Sequence, residues 1–277
     1  MIFYINGKFL DEKEAKISVY DLGLLRGYAV FDFLRTYNQK PFYLDDHLKR
    51  LLNSAKLIGL KHNYNLKFLR KITLQTLKKN IQKGLEYNIR IILTGGNSED
   101  FISPSKPNLI VMITPLKKLD EKLYQKGGKL ITKISERILP QAKTIIYAEA
   151  VKFIQEAKKK GAIEVLLLDK NKKILECTTS NFFAVINGKL ITPSTGKILS
   201  GITRKIVINL AKKLKIPVIE REIYFNEIKK FDEAFITASN KEILPITQID
   251  NFKISTQPGP ITKTLMSQFK ELTKNFK

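Results

Sequence analysis

The run from Glu164 to Pro193 constrains this chain more than any other stretch. Glu164-Val165-Leu166-Leu167-Leu168-Asp169 reads as a strand, and a turn at Lys170-Asn171 leads to a second strand ending at Glu176. Phe183-Ala184-Val185-Ile186 is a further strand, followed by a hairpin signal at Asn187-Gly188 and by Ile191-Thr192-Pro193. A helical run precedes this block, and Gly201-Ile202-Thr203-Arg204 opens another helix after it.

The remaining segments mix strands and helices without regular βαβ alternation. Residues 1–43 read as short strands and turns, among them Ala29-Val30-Phe31-Asp32-Phe33-Leu34-Arg35. Asp45 or Asp46 is expected to cap a helix with the apolar stripe Leu48, Leu51, Leu52, Ala55 and Ile58, and a second helix starts near Asn65. Strands are expected at 88–94, 108–114, 235–237 and 243–249. The helix from Thr203 should stop at Pro217, and 261–276 should form a closing helix. The pattern favours an α+β fold in two domains: a small N-terminal domain over 1–114, a linker over 115–121 and a large C-terminal domain over 122–277. Neither a P-loop nor a G-x-G-x-x-G motif occurs, so nucleotide-binding folds have no support.

Composition narrows the function. With 43% hydrophobic residues the 277-residue chain can bury a real core, and no apolar run approaches the ~18 residues of a membrane helix. Cys177 is the only cysteine, so an internal disulfide is impossible, and with only His47 and His62 beside it no Cys/His zinc cluster can form. The start, Met1-Ile2-Phe3-Tyr4-Ile5-Asn6-Gly7, reads as a strand entering a turn and lacks a signal-peptide layout, so a cytoplasmic location is expected. The formal charge of +23 would suit a noncatalytic nucleic-acid-binding protein. The lysines are scattered in pairs and triples on helical segments, as in Lys158-Lys159-Lys160, and no binding motif accompanies them. Solvated helix faces explain them better.

Three separated motifs together carry a resemblance to a known family. Lys143 stands in Ala142-Lys143-Thr144-Ile145-Ile146-Tyr147, Glu176 stands shortly before Ser180-Asn181-Phe182-Phe183, and Gly201-Ile202-Thr203 begins a helix. A deprotonated lysine can attack an aldehyde, and apolar neighbours lower its pKa from about 10.4. A helix start offers unpaired N–H groups and the positive dipole end to an anion.

Their order and spacing resemble the class IV (fold type IV) aminotransferases that use pyridoxal phosphate. That family includes branched-chain and D-amino-acid transaminases and aminodeoxychorismate lyases. The resemblance implies that Lys143 is the catalytic base and holds the cofactor covalently, with Tyr147 approaching its phenolic oxygen. Glu176 would keep the ring nitrogen protonated. Arg50, Ile202 and Thr203 would grip the phosphate, and Ser239-Asn240 would complete phosphate and carboxylate binding. Ile146 and Asn240 depart from the usual Asn and from the usual Thr, Ser or Ala.

For the substrate pocket the resemblance points to Arg26, Phe31, Phe33, Arg35, Asn88 and Arg90. Ala29, Phe31, Phe33 and Arg35 share one face of a strand. Arg90 lies where branched-chain enzymes carry an arginine for the distal carboxylate of glutamate, but Asn88 replaces their tyrosine. Bacterial D-amino-acid enzymes have an arginine where this chain has Gly95. Arg26 with Arg90 resembles a less usual D-amino-acid transaminase group. The expectation is therefore a D-amino-acid transaminase passing the amino group to 2-oxoglutarate or pyruvate, with an L-branched-chain enzyme as the alternative and an aminodeoxychorismate lyase as a further one. The resemblance also implies a homodimer whose partner contributes loops, with Arg26 acting across the interface.

Overall fold

Alternating side chains make Ala29–Tyr37 the organising strand of the first of two units. The computed structural model describes residues 1–276, and this unit comprises Met1–Lys117, Ala142–Ile146 and Phe276. Its elements are β1 (Ile2–Ile5), β2 (Lys8–Asp11), α1 (Leu22–Arg26), β3 (Ala29–Tyr37), β4 (Lys40–Pro41), α2 (Leu44–Leu57), α3 (Leu66–Lys78), β5 (Tyr87–Thr94) and β6 (Leu109–Pro115). The strands form one sheet in the order β2-β1-β6-β5-β3-β4.

In β3, Val30 and Leu34 point to one face, joined there by Ile89, Ile91 and Leu93 of β5. Leu44, Leu48, Leu51 and Ala55 of α2 and Leu69 and Ile72 of α3 complete this core. Each such aliphatic side chain contributes about 1.5–3 kcal/mol on burial. The opposite face carries Phe31, Phe33 and Arg35, paired across the ladder with Ile92, Arg90 and Asn88. The expected shared face is therefore present.

Two local expectations change. Helix α2 is preceded by Tyr43 at φ 52 with no side-chain cap, and Asp45 and Asp46 lie in its first turn, where they complement the dipole instead. Asn65 caps α3 as expected, its Oδ1 accepting from Phe68 N at 2.8 Å. Residues Ala142–Ile146 belong with the first unit, not with a continuous segment over 122–277. The reason is backbone pairing: Phe31 N donates to Lys143 O at 2.9 Å, and Ile145 N to Ala29 O at 3.2 Å. Lys277 lies outside the described residues.

The second unit spans Lys118–Gln141 and Tyr147–Asn275. It contains α4 (Glu121–Lys126), β7 (Gly128–Ile134), α5 (Ala148–Lys159), β8 (Glu164–Leu168), β9 (Lys173–Cys177), β10 (Asn181–Ile186), β11 (Lys189–Thr192), α6 (Ile202–Lys213), β12 (Val218–Glu220), β13 (Ile223–Tyr224), β14 (Glu233–Ala238), β15 (Glu242–Ile249), β16 (Phe252–Lys253) and α7 (Pro260–Lys274). Nine of these strands run in the order β12-β11-β10-β14-β15-β7-β8-β9-β13, with β16 beside β15. Asn187 and Gly188, at φ 49 and 72, make the two-residue hairpin turn between β10 and β11. Helix α6 ends at Lys213, four residues before Pro217, because Lys215 turns into the left-handed region at φ 59. Among the described residues no helix is long and apolar enough to cross a membrane.

Candidate active site

In the first unit the candidate residues gather around β3. Lys143 is held by its backbone: its N–H donates to Ser54 Oγ of α2 at 3.0 Å, and its carbonyl accepts from Phe31. Its Nζ lies 4.6 Å from the centre of the Phe31 ring. The Arg90 guanidinium stands over the same ring at 5.1 Å and over Phe33 at 5.7 Å. Two aromatic faces thus carry two cations, a cation–π arrangement that orients both heads. Asn88, opposite Arg35 in the ladder, has a buried Oδ1 without a hydrogen-bond partner. Arg35 stacks over Tyr37 at 4.2 Å. Arg26, at the end of α1, is exposed and donates to Leu25 O at 3.1 Å.

On the other face of β3 lies a cluster that sequence reading missed. Asp32 is fully buried and accepts from Arg50 Nε at 2.9 Å and Nη2 at 2.8 Å, and from His47 Nδ1 at 2.6 Å. Burial alone would raise the Asp32 pKa, but the Arg50 and His47 charges and hydrogen bonds pull it well below the usual carboxylate range. Burial pushes the His47 pKa down, opposed by Asp32, with the Arg50 and Lys143 charges adding to the depression. His47 and Arg50 are one helical turn apart on α2, which places both side chains over β3. The available signal was a single carboxylate set between apolar neighbours, Phe31 and Phe33, in a strand with no other acidic residue.

In the second unit the candidate residues gather around Glu176, near the end of β9. Both carboxylate oxygens are engaged: Oε1 by Arg137 Nη1 at 3.0 Å, and Oε2 by Asn181 Nδ2 at 3.2 Å and Leu199 N at 3.1 Å. Asn181 also donates to Leu199 O at 2.9 Å. Ile202 and Thr203 are the first two residues of α6, and Gly201 before them supplies no side-chain cap. The opening N–H groups of a helix lack intrahelical partners, so they suit an anion. Thr237 lies opposite Asn181 in the β10–β14 ladder, with its hydroxyl buried and unpartnered. Ser239 and Asn240 form the turn after β14, closed by Lys241 N donating to Ala238 O at 3.1 Å. Tyr147 occupies the N-cap position of α5. Among the described residues no group of His, Cys, Asp and Glu is placed to hold a metal ion.

Comparison with known proteins decides the family. Residues 29–249 match the model of the amino-transferase class IV family. The chain belongs to the class IV aminotransferases. A Methanocaldococcus jannaschii protein named "Putative branched-chain-amino-acid aminotransferase" is 36% identical over 98% of this chain and 96% of its own. A D-alanine aminotransferase of Staphylococcus epidermidis is 28% identical over 97% of this chain and 96% of its own. The branched-chain aminotransferase of Thermoproteus uzoniensis, solved with norvaline, matches with TM-score 0.90 and 31% identity over 100% of this chain and 96% of its own. The T.th. branched-chain aminotransferase complexed with N-(5'-phosphopyridoxyl)-L-glutamate matches with TM-score 0.89 and 26% identity over 100% and 95%. Class IV aminotransferases thus share the two-domain α+β fold described above.

Proposed function

We propose that this aminotransferase moves the amino group between L-branched-chain amino acids and 2-oxoglutarate. The observation that carries this reading is Arg90 above both Phe31 and Phe33. A floor of two phenyl rings accepts an aliphatic side chain, and a guanidinium at its edge accepts the distal carboxylate of glutamate. One face then serves both half-reactions. The preference for D-amino acids expected from Arg26 and Arg90 gives way here. The 36% identical relative and the solved relatives with norvaline and a glutamate adduct support the branched-chain alternative.

The enzyme depends on pyridoxal phosphate, and the residues fit it. An uncapped helix start, a buried unpartnered hydroxyl at Thr237 and an anchored carboxylate at Glu176 suit a phosphorylated pyridine. When bound, this group supplies the electron-withdrawing ring that stabilises negative charge at the substrate Cα. In our reading Lys143 would hold the cofactor through its aldehyde and would serve as the base for the proton at the substrate Cα. Glu176 would keep the ring nitrogen protonated, and Tyr147 would serve the phenolic oxygen. Arg50, Ile202, Thr203, Ser239 and Asn240 are the residues that would hold the phosphate. Asn88 and Arg35 flank the substrate. The same reading makes the protein a cytoplasmic homodimer, with exposed Arg26 serving the partner's pocket.

The test is a single half-reaction on protein loaded with pyridoxal phosphate. L-Leucine, L-glutamate, D-alanine and D-glutamate are added separately and the cofactor's visible band is followed. Bleaching by L-leucine and L-glutamate supports the proposal. Bleaching by the D-isomers alone replaces it with a D-amino-acid transaminase, and no bleaching by any of the four points to lyase chemistry.

A further inference from the structure

Glu164 and Lys241 form an ion pair inside the second unit, Nζ to Oε2 at 3.2 Å, with side chains 2% and 13% exposed. The carboxylate gathers the bend that follows Glu176 and Cys177. It accepts from the hydroxyls of Thr178 at 3.0 Å, Thr179 at 2.7 Å and Ser180 at 2.7 Å, and from the backbone N–H of Thr179. The ammonium reaches the same bend, donating to Thr179 Oγ1 at 2.7 Å and Ser180 Oγ at 3.2 Å. At its own end Lys241 is fixed too, because its carbonyl accepts from the Tyr124 hydroxyl at 3.1 Å.

The location gives this cluster its meaning. Residues Thr178–Ser180 join Glu176 to Asn181, which donates to the Glu176 carboxylate. Lys241 closes the turn that contains Ser239 and Asn240. Strands β10 and β14 are antiparallel with Asn181 opposite Thr237, so the bend before β10 and the turn after β14 lie at the same end of the sheet. A buried carboxylate satisfied by one cation and four hydrogen-bond donors has little freedom, and removing its cation leaves a buried charge uncompensated.

We propose that Glu164 and Lys241 are positioning residues that tie the 178–180 bend to the 239–241 turn. They would thereby set the Glu176 carboxylate and the Ser239-Asn240 turn as one unit, coupling the grip on the ring nitrogen to the grip on the phosphate. The inference rests on the cofactor assignment of the preceding subsection. Neither side chain needs to touch the cofactor. Loosening one turn would loosen the other.

The experiment is absorbance titration of the cofactor-free protein with pyridoxal phosphate, with the pH midpoint of the bound cofactor's visible band as second readout. Lys241→Met, which keeps most of the stem and removes the charge, should weaken binding about 10-fold or more and move the midpoint. Lys241→Arg, which keeps the charge, should recover most of the affinity. A folded Lys241→Met protein with wild-type affinity and midpoint would overturn the proposal, as would a loss of thermal stability alone. Should that variant not fold, Thr179→Val removes one hydroxyl shared by both partners and should weaken binding about threefold. Unchanged binding there would overturn it equally. Failure of the wild-type protein to take up pyridoxal phosphate would instead remove the functional reading beneath.

Discussion

Arg50 grips Asp32 through two nitrogens at once, Nε on Oδ2 at 2.9 Å and Nη2 on Oδ1 at 2.8 Å. A guanidinium held along one edge by a fully buried carboxylate has a fixed direction, and that direction is what an arginine assigned to a phosphate requires. Asp32→Asn keeps the shape but turns one acceptor oxygen into a donor facing Arg50. Because breaking a buried pair strands the remaining charge, stability should fall by about 3–5 kcal/mol in urea unfolding. Affinity for pyridoxal phosphate should fall with it. A variant as stable as wild type would show that the pair does not hold α2 on β3.

His47 supplies a pH signature. Its folded pKa lies below 6.5 because of burial, so the unfolded chain binds a proton first as pH falls. Stability conferred by the neutral imidazole is complete above pH 6.5 and is lost as pH drops through the folded value. Asp32, depressed below 3.8, adds its own loss only below that pH. Stability should therefore begin to decline near pH 6.5, at no more than about 1.4 kcal/mol per pH unit for one group. In His47→Asn the decline between pH 6.5 and 4.5 should shrink to the small part left by His62, whose pKa burial also lowers. Urea midpoints across that range measure it, and parallel curves would clear His47 of the effect.

Lys143→Ala should abolish turnover and the covalent attachment of the cofactor. Borohydride treatment followed by peptide mass analysis reads the attachment directly, at Lys143 in wild type and nowhere in the variant. The fold should survive, since the backbone bonds of residue 143 to Phe31 and Ser54 need no side chain. An active variant would remove the central assignment.

Sequence alone made the sheet faces legible, because a period of two places Phe31, Phe33 and Arg35 together whatever surrounds them. It also located the α6 start and the Asn187-Gly188 turn, both of which depend on local residues. It could not assign Ala142–Ile146 to the first unit. That pairing is a short bridge with no periodicity of its own. Asp32 was invisible for a related reason: its partners His47 and Arg50 lie on a helix whose packing decides which strand residue they meet. The Glu164–Lys241 pair spans even more chain, and nothing in either local stretch announces the other. Substrate preference was read toward D-amino acids from Arg26, Arg90 and the absence of a tyrosine at Asn88. The Phe31 and Phe33 rings beneath Arg90, which support the branched-chain proposal, could not be placed there from sequence.

Arg90→Ala should separate substrate binding from cofactor binding. A guanidinium hydrogen-bonded to a carboxylate contributes about 1.5–3 kcal/mol, so KM for 2-oxoglutarate should rise about 10- to 100-fold. KM for L-leucine should change little, because its side chain would meet the rings and not the charge. Affinity for pyridoxal phosphate should stay near wild type. Unchanged kinetics with 2-oxoglutarate would move the carboxylate site elsewhere.

Gly201→Ala tests the tightness of the Glu176 surroundings without touching charge. The backbone at Gly201 is ordinary, φ −69 and ψ 135, so alanine meets no conformational penalty there. The added methyl would instead run into Asn181 Oδ1, and would lie 3.1 Å from Asn181 Cγ and 3.3 Å from Arg204 Cβ. Asn181 must move to make room, and it is the side chain that donates both to Glu176 and to Leu199 O. Overpacking of this kind costs about 1–3 kcal/mol. Pyridoxal phosphate binding should weaken about 10-fold, because the displaced amide leaves Glu176 Oε2 with Leu199 N alone of its two donors and the same methyl crowds the α6 start. Gly201→Ala combined with Asn181→Ala should be less harmful than the sum of the two, since the second substitution removes the obstacle. Strict additivity in that cycle would show that the clash is relieved through the α6 backbone and that Asn181 is not the residue Gly201 makes room for.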